Sequence, residues 1–197
     1  MVIPEADTHD RGGNTPSILI AASIFPPDPG GPAMHAKRQY EYFLSLGYKV
    51  NMTVLSHFHA WPKGVRHLLF FFTLCISAFR SHLIYAHDAL GAGFPALLVA
   101  KIFCKKYIVR IGGDIPWERT AERHGTKLSM GEWYAGSNHR NSVLFFVSRC
   151  VMKGADVVIV PSELLKNLYT KYYDVDESLV VVIPNPISIH GESIPVE

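Results

Sequence analysis

Three short segments carry residue types that could do chemistry. They are Gly30-Gly31 behind a proline-rich turn, His87-Asp88, and Gly112-Gly113-Asp114 with Trp117 and Glu118 just beyond. Each follows a short apolar run. Ile18, Leu19 and Ile20 lead through Pro26-Pro27-Asp28-Pro29 to the two glycines and then to Pro32, which suits a first helical position. A strand, a glycine turn and a helix start, in that order, present backbone N–H groups to an anion. With no Cβ at Gly30 or Gly31, another molecule can approach the backbone. The implied ligand is a phosphate, a diphosphate or a sugar hydroxyl. A plain strand-to-helix turn would use the same two glycines for geometry alone.

The other two segments also admit two readings each. A histidine leaving a strand at its carboxyl end, as His87 does before Asp88 and the loop Ala89–Gly93, is placed to hydrogen-bond a ligand. It could equally bond local backbone in a turn. Asp114, Trp117 and Glu118 could wall an acceptor site, with carboxylates for hydroxyls and an indole face for a sugar. The same residues fit a helix start, with Asp114 or a neighbour as N-cap and Glu118 in the first turn. Arg110, in the strand two residues before the glycines, either pairs with Asp114 or points its always-charged fork at a phosphate.

Several chemistries are excluded by what the motifs lack. No GxGxxG follows the first strand, and the second ends in Leu55-Ser56 instead of the acid a ribose contact needs. There is no GxxxxGK[ST] loop, no GxSxG elbow and no catalytic Cys–His signature. His57 and His59 have no companions at zinc spacing, so they read as a surface loop in preference to a metal site, and no motif for another cofactor is present.

The elements that must position these residues alternate along the chain. Strands are expected near 18–20, 49–55, 82–86, 107–111, 157–160 and 179–183. Helices are expected near 32–46, 65–80, 95–106, 142–153 and 163–172, the last capped by Ser162. Residues 115–141, polar and holding Trp117 and Trp133, read as a long functional loop or lid. This pattern predicts an α/β fold, a Rossmann-like doubly wound parallel sheet of about six strands with helices on both faces. The expected order is 2-1-3-4-5-6, which brings the three glycine- or histidine-bearing strand ends together at the switch point where such sheets bind ligands.

Bulk properties narrow the class. The 197 residues suit one domain with a sizeable core, 48% of them hydrophobic and 18% charged. A formal net charge of +2 gives no argument for nucleic acid. Cys75, Cys104 and Cys150 are odd in number and lie in apolar runs, which predicts buried thiols in a reducing compartment. Residues 1–16 look like a flexible polar leader without the features of a signal peptide. The run Leu68–Phe79 is too short to span a bilayer and is bracketed by Arg66 and Arg80. It reads as a core helix, with a membrane-surface helix as the alternative.

Three segments together resemble the family 4 retaining glycosyltransferases, which have the GT-B fold. They are ILIAASIFPPDPGGPAMHAKRQYEYFLSLGYKV, LIYAHDALGAGFPALLVAK, and ADVVIVPSELLKNLY followed by VVVIPNPI. The similarity runs from about Ser17 to Ile187. It implies that the amides of Gly30 and Gly31 face a donor diphosphate and the acceptor, and that His87 sits at the reacting sugar. It also implies transfer from a nucleotide-sugar, without a metal, to a glycan or lipid-linked acceptor. The setting it implies is cell-envelope synthesis in the cytoplasm, at the inner face of the membrane where peripheral contact is made. One departure is clear: many relatives end the fourth strand in Thr-x-His-Gly, where this chain has Arg110-Ile111-Gly112-Gly113-Asp114.

By the same resemblance, residues 17–187 form the acceptor-side Rossmann-like domain and 188–197 begin an interdomain linker. A second Rossmann-like domain, with a Glu-x7-Glu element and most of the donor contacts, would lie beyond the 197 residues, leaving this chain inactive alone. The other reading of the same switch point is a non-catalytic, flavodoxin-like domain that binds a phosphorylated ligand.

Overall fold

A computed structural model describes residues 15–125, 127–136 and 142–185. Six parallel strands form one sheet: β1 (Ser17–Ala22), β2 (Lys49–Val54), β3 (Leu83–Ala86), β4 (Lys106–Arg110), β5 (Val157–Val160) and β6 (Val180–Val182). Their order is β2-β1-β3-β4-β5-β6, as the alternation of elements predicts. Around them lie α1 (Gly31–Ser45), α2 (Lys63–Ala78), α3 (Gly93–Ile102), α4 (Ile115–His124), α5 (Met130–Ala135), α6 (Val143–Lys153) and α7 (Glu163–Tyr173). The fold is therefore α/β and Rossmann-like.

The winding decides which face each helix covers. Parallel crossovers are almost always right-handed. The chain steps one way from β1 to β2 and the other way at every later crossover, so α1 takes one face and the later helices the opposite one. The core divides accordingly. Ile18, Ile20, Tyr85 and Ile159 pack under Tyr40 and Phe43 of α1. Leu19, Ile84, Val109 and Val158 pack with Phe70 and Leu74 of α2 and with residues of α3, α6 and α7. At the β6 edge Val181 and Ile183 stay exposed.

Strand register brings the strand ends level. Ala21 of β1 lies opposite Ala86 of β3, and Ala86 opposite Val109 of β4. The residues just past these three positions share one edge of the sheet.

Three expectations are corrected. Residues 115–136 are mostly helical and not a loop: Asp114 caps α4 by accepting from Trp117 N at 2.9 Å, and Ser129 and Glu132 form a capping box for α5. Residues 137–141, the end of that stretch, lie outside the described residues. Helix α1 begins at Gly31, so Pro32 takes its second position. The cysteines are not buried: Cys104 is exposed, and Cys75 and Cys150 are half-buried. The leader, apart from residues 15 and 16, and the linker expected at 188–197 also lie outside the described residues.

Candidate functional site

The β1–α1 turn is set by its own side chains. Asp28 accepts from Phe25 N at 3.2 Å and from Ser56 Oγ at 2.5 Å, tying the turn to the segment after β2. The hydroxyl of Ser56 holds the Asp28 carboxyl below its usual range. Gly30 follows with φ of 117°, where a side chain would be strained, and serves as the N-cap without a side-chain hydrogen bond. A Cβ at Gly31 would meet nothing within 4 Å. The first turn of a helix has N–H groups with no partner inside the helix, so the start of α1 presents donors to the space beside Gly31.

That space is a crevice of about 640 Å³ at the carboxyl edge of the sheet. Gly31 and His35 of α1, His87 and Asp88 after β3, and Gly112 and Gly113 after β4 line it. Arg38, Arg110, Glu118 and Asn185 complete its polar wall. The three strand ends singled out by sequence thus converge.

His87 is fixed by its backbone N–H, which donates to Ala21 O at 3.0 Å. Its ring packs against Tyr85, and its Nε2 is buried without a hydrogen-bond partner among the described residues. Burial, with smaller contributions from His35 and Arg110, lowers its pKa to about 3. His35, absent from the sequence-based site, is in the same state: its Nε2 is buried and unpartnered, and burial, Arg110 and Arg38 lower its pKa to about 4. A signal for it did exist. Gly31, His35 and Arg38 are spaced i, i+4, i+7, which places them along one face of a helix.

Asp88 reaches the crevice but is occupied. One carboxylate oxygen accepts from Ser23 Oγ at 2.5 Å and the other from Ala92 N at 3.0 Å, fastening the turn between β3 and α3 to β1. The backbone packs so closely there that a Cβ on Gly93 would sit 2.0 Å from Asp88 O.

Arg110, only 3% exposed, donates to Asn185 and not to Asp114. Burial lowers its pKa. Its position inside β4 still turns it to the crevice, because strand side chains alternate and Val109 takes the core.

Asp114 and Trp117 do not wall the crevice. Asp114 is 1% exposed and accepts from Tyr134 Oη at 2.7 Å and Tyr173 Oη at 2.6 Å besides capping α4. Trp117 packs against the larger core cluster, with its Nε1 buried. Of the two readings of this segment, the helix start is the one observed. Glu118 belongs to both: it lies in the first turn of α4 and lines the crevice, where a Cβ on Gly113 would come within 2.1 Å of its Oε1. Burial first, then Asp114 and Glu122, raise its pKa.

In chemical terms the crevice offers backbone amides, two guanidinium groups, two neutral imidazoles and one carboxylate with a weakened hold on its charge. This set suits an anionic, hydroxyl-rich ligand.

Comparisons with known proteins bear on the fold and the family. A solved structure of HepE from Anabaena, in complex with UDP and glucose, matches with a TM-score of 0.51 over 88% of this chain. The identity is 14%, and the match spans 45% of that chain, so the described protein corresponds to less than half of it. The likeness is one of fold, that of a GT-B glycosyltransferase. No curated protein matched in sequence. The Glycosyltransferase Family 4 model matches residues 24–190, most of the chain, and the protein belongs to that family.

Proposed function

We propose that this chain forms the acceptor-side half of a retaining glycosyltransferase that uses a nucleotide-sugar. The observation carrying the proposal is the convergence of the α1 N-terminus, His87 and Gly112-Gly113 on one crevice flanked by Arg38 and Arg110.

The chemistry asks for little beyond charge placement. A nucleoside diphosphate must leave while an acceptor hydroxyl attacks the same face of the sugar, and fixed donors stabilise the departing charge. Here the amide of Gly31 and the guanidinium of Arg110 would face the diphosphate. His87, neutral, would hydrogen-bond a hydroxyl of the reacting sugar through Nε2. Glu118 would accept from an acceptor hydroxyl, a role its raised pKa favours because the proton is held more readily.

The second wall of the cleft would come from a further Rossmann-like domain. Support comes from the match spanning under half of HepE, and from the apolar β6 edge that the described residues leave exposed. The sequence expectation of a cell-envelope glycan or lipid-linked acceptor is kept as part of this proposal, and so is independence from a metal.

The test is a backbone-amide NMR titration of the chain with UDP, UDP-glucose and glucose-free phosphate compounds, paired with a radiolabelled transfer assay. Expected are shifts clustered at Gly31, Gly112 and Gly113, weak affinity, and no turnover by the 197 residues alone. Turnover by the isolated chain removes the incomplete-half proposal. Tight binding of a phosphorylated ligand carrying no sugar would favour the flavodoxin-like binding module instead.

A further inference from the structure

Helix α2 carries two opposite apolar rows. Phe70, Leu74 and Ala78 face the sheet and are fully buried. On the other side Leu68, Phe72, Ile76 and Phe79 are 56%, 54%, 72% and 71% exposed. With Val65 these follow a spacing of 3, 4, 4 and 3, a single stripe along the helix. The expectation of a core helix is therefore half met: one face is core and the other is bare.

The bare row does not stand alone. Phe94, Leu98 and Ile102 form an exposed row on α3, which packs beside α2. Phe79 and Phe103 stack edge-to-face at 4.6 Å and join the two helices. On α6, next to α3, Val143 and Phe146 are exposed as well. Scattered apolar residues are ordinary on a surface, but contiguous rows on three neighbouring helices mark an interaction site.

Charge selects the partner. None of α2, α3 and α6 contains an acidic residue, and between Glu41 and Asp114 the only one is Asp88, which the turn after β3 already uses. Basic residues border the rows: exposed Lys63, Arg80 and Lys101, with Arg66 and Lys105 half-buried. Trp61, exposed just before α2, adds an aromatic ring suited to the headgroup level. Among the described residues no helix is long and apolar enough to cross a membrane, so this surface would lie on a bilayer and not in it.

We propose that the outer face of α2 and α3 docks the protein on a bilayer rich in anionic lipid. Phe72, Ile76 and Phe79 enter the headgroup–acyl boundary, and Lys63, Arg80 and Lys101 meet the lipid phosphates. Both helices run antiparallel to the strands, so their N-terminal ends lie at the sheet edge where the crevice opens. The proposal does not depend on the sugar-transfer reading.

Co-sedimentation with vesicles of phosphatidylcholine, with and without phosphatidylglycerol, tests it. The full chain is expected to pellet with the anionic vesicles only, and less as salt is raised. The double variant Phe72→Ser/Ile76→Ser should lower partitioning about tenfold or more. Lys63→Glu/Arg80→Glu, which leaves every apolar contact in place, should lower it by at least about tenfold, given roughly fivefold for each cation lost. Equal binding to neutral vesicles, no binding to anionic ones, or unchanged partitioning of both variants overturns the proposal. So does a dimer in solution that Phe72→Ser/Ile76→Ser dissolves, since the face then belongs to a second copy. The readout involves no nucleotide or sugar, so its failure leaves the sugar-transfer reading standing, and the reverse also holds.

Discussion

His35 and His87 meet edge-to-face across the crevice, with ring centroids 5.5 Å apart and planes at 81°. They come from different elements, α1 and the end of β3, and neither Nε2 finds a partner among the described residues. Two imidazoles this close, with Arg110 beside both, cannot readily carry charge. Each is held neutral near pH 7, chiefly by burial. The crevice therefore takes its positive charge from the arginines alone, while the histidines supply neutral hydrogen-bonding nitrogens.

A pH dependence of stability follows from that pair. Both folded-state values, about 4 for His35 and about 3 for His87, lie below the ordinary 6.5. The unfolded chain therefore binds more protons than the folded one between those values and 6.5. Stability should fall as pH drops through that window, by at most about 1.4 kcal/mol per pH unit for each imidazole. Partial exposure of His35 reduces its share. Urea unfolding of the wild type and of His35→Gln/His87→Gln at pH 7 and pH 5 measures this. The variant should lose less on acidification; equal losses would show that these rings do not titrate as described.

The two glycines of the β1–α1 turn should separate when substituted. Gly30→Ala forces a Cβ onto a φ of 117° and is expected to cost about 1–3 kcal/mol. Gly31→Ala enters open space and should change stability by less than about 0.5 kcal/mol. Its methyl group nevertheless stands where a ligand would meet the helix start, so anion binding should weaken. Denaturant midpoints and a phosphate or UDP titration read both effects. A Gly31→Ala protein that binds as the wild type does would remove that amide from the site.

What sequence could and could not tell follows from the range of the forces involved. Short apolar runs ending in glycine or histidine mark buried parallel strands, so sheet order and the converging strand ends were readable. The segment 115–136 was misread because its helices are short and polar. They are fixed by distant partners, Tyr134 and Tyr173 on Asp114, and not by a long apolar period. Arg110 shows the same limit: its partner Asn185 is remote in sequence, so local reading reached first for Asp114. Asp88 and Ser23, 65 positions apart, could be paired only by the fold. The outer row of α2 misled for another reason, since hydrophobicity alone does not say which of two apolar faces is covered.

Removing the carboxylate of Asp114 should damage the fold more than any ligand contact. Asp114→Ala deletes the α4 cap, worth about 1 kcal/mol. It leaves the buried Tyr134 and Tyr173 hydroxyls, 2.5 Å apart, to bond each other, stranding one donor at about 1–3 kcal/mol. A total loss of at least about 2 kcal/mol is expected. Tyr173→Phe, which removes one donor only, should cost about 1–2 kcal/mol. Burial and Asp114 both raise the pKa of the two phenols, so neither tyrosine should ionise below pH 10 in the folded protein. Denaturant unfolding and an ultraviolet phenolate titration check these points. A nearly neutral Asp114→Ala would mean that the hydroxyls find other partners.

The two rows of α2 make opposite predictions for substitutions only two residues apart. Phe70 is fully buried against the sheet and meets Phe58 at 6.5 Å. Phe70→Ala leaves a cavity and should cost about 3–5 kcal/mol. Phe72 is more than half exposed, so Phe72→Ala gives up little buried area and should cost less than about 1 kcal/mol. Thermal and urea unfolding of the two single variants, without lipid, make the comparison. Comparable losses would mean that something covers the outer row in the folded chain, and a covered row cannot meet a bilayer. A large difference would mean that the wild type holds Leu68, Phe72, Ile76 and Phe79 in water, a contiguous apolar row of the kind that marks an interaction surface.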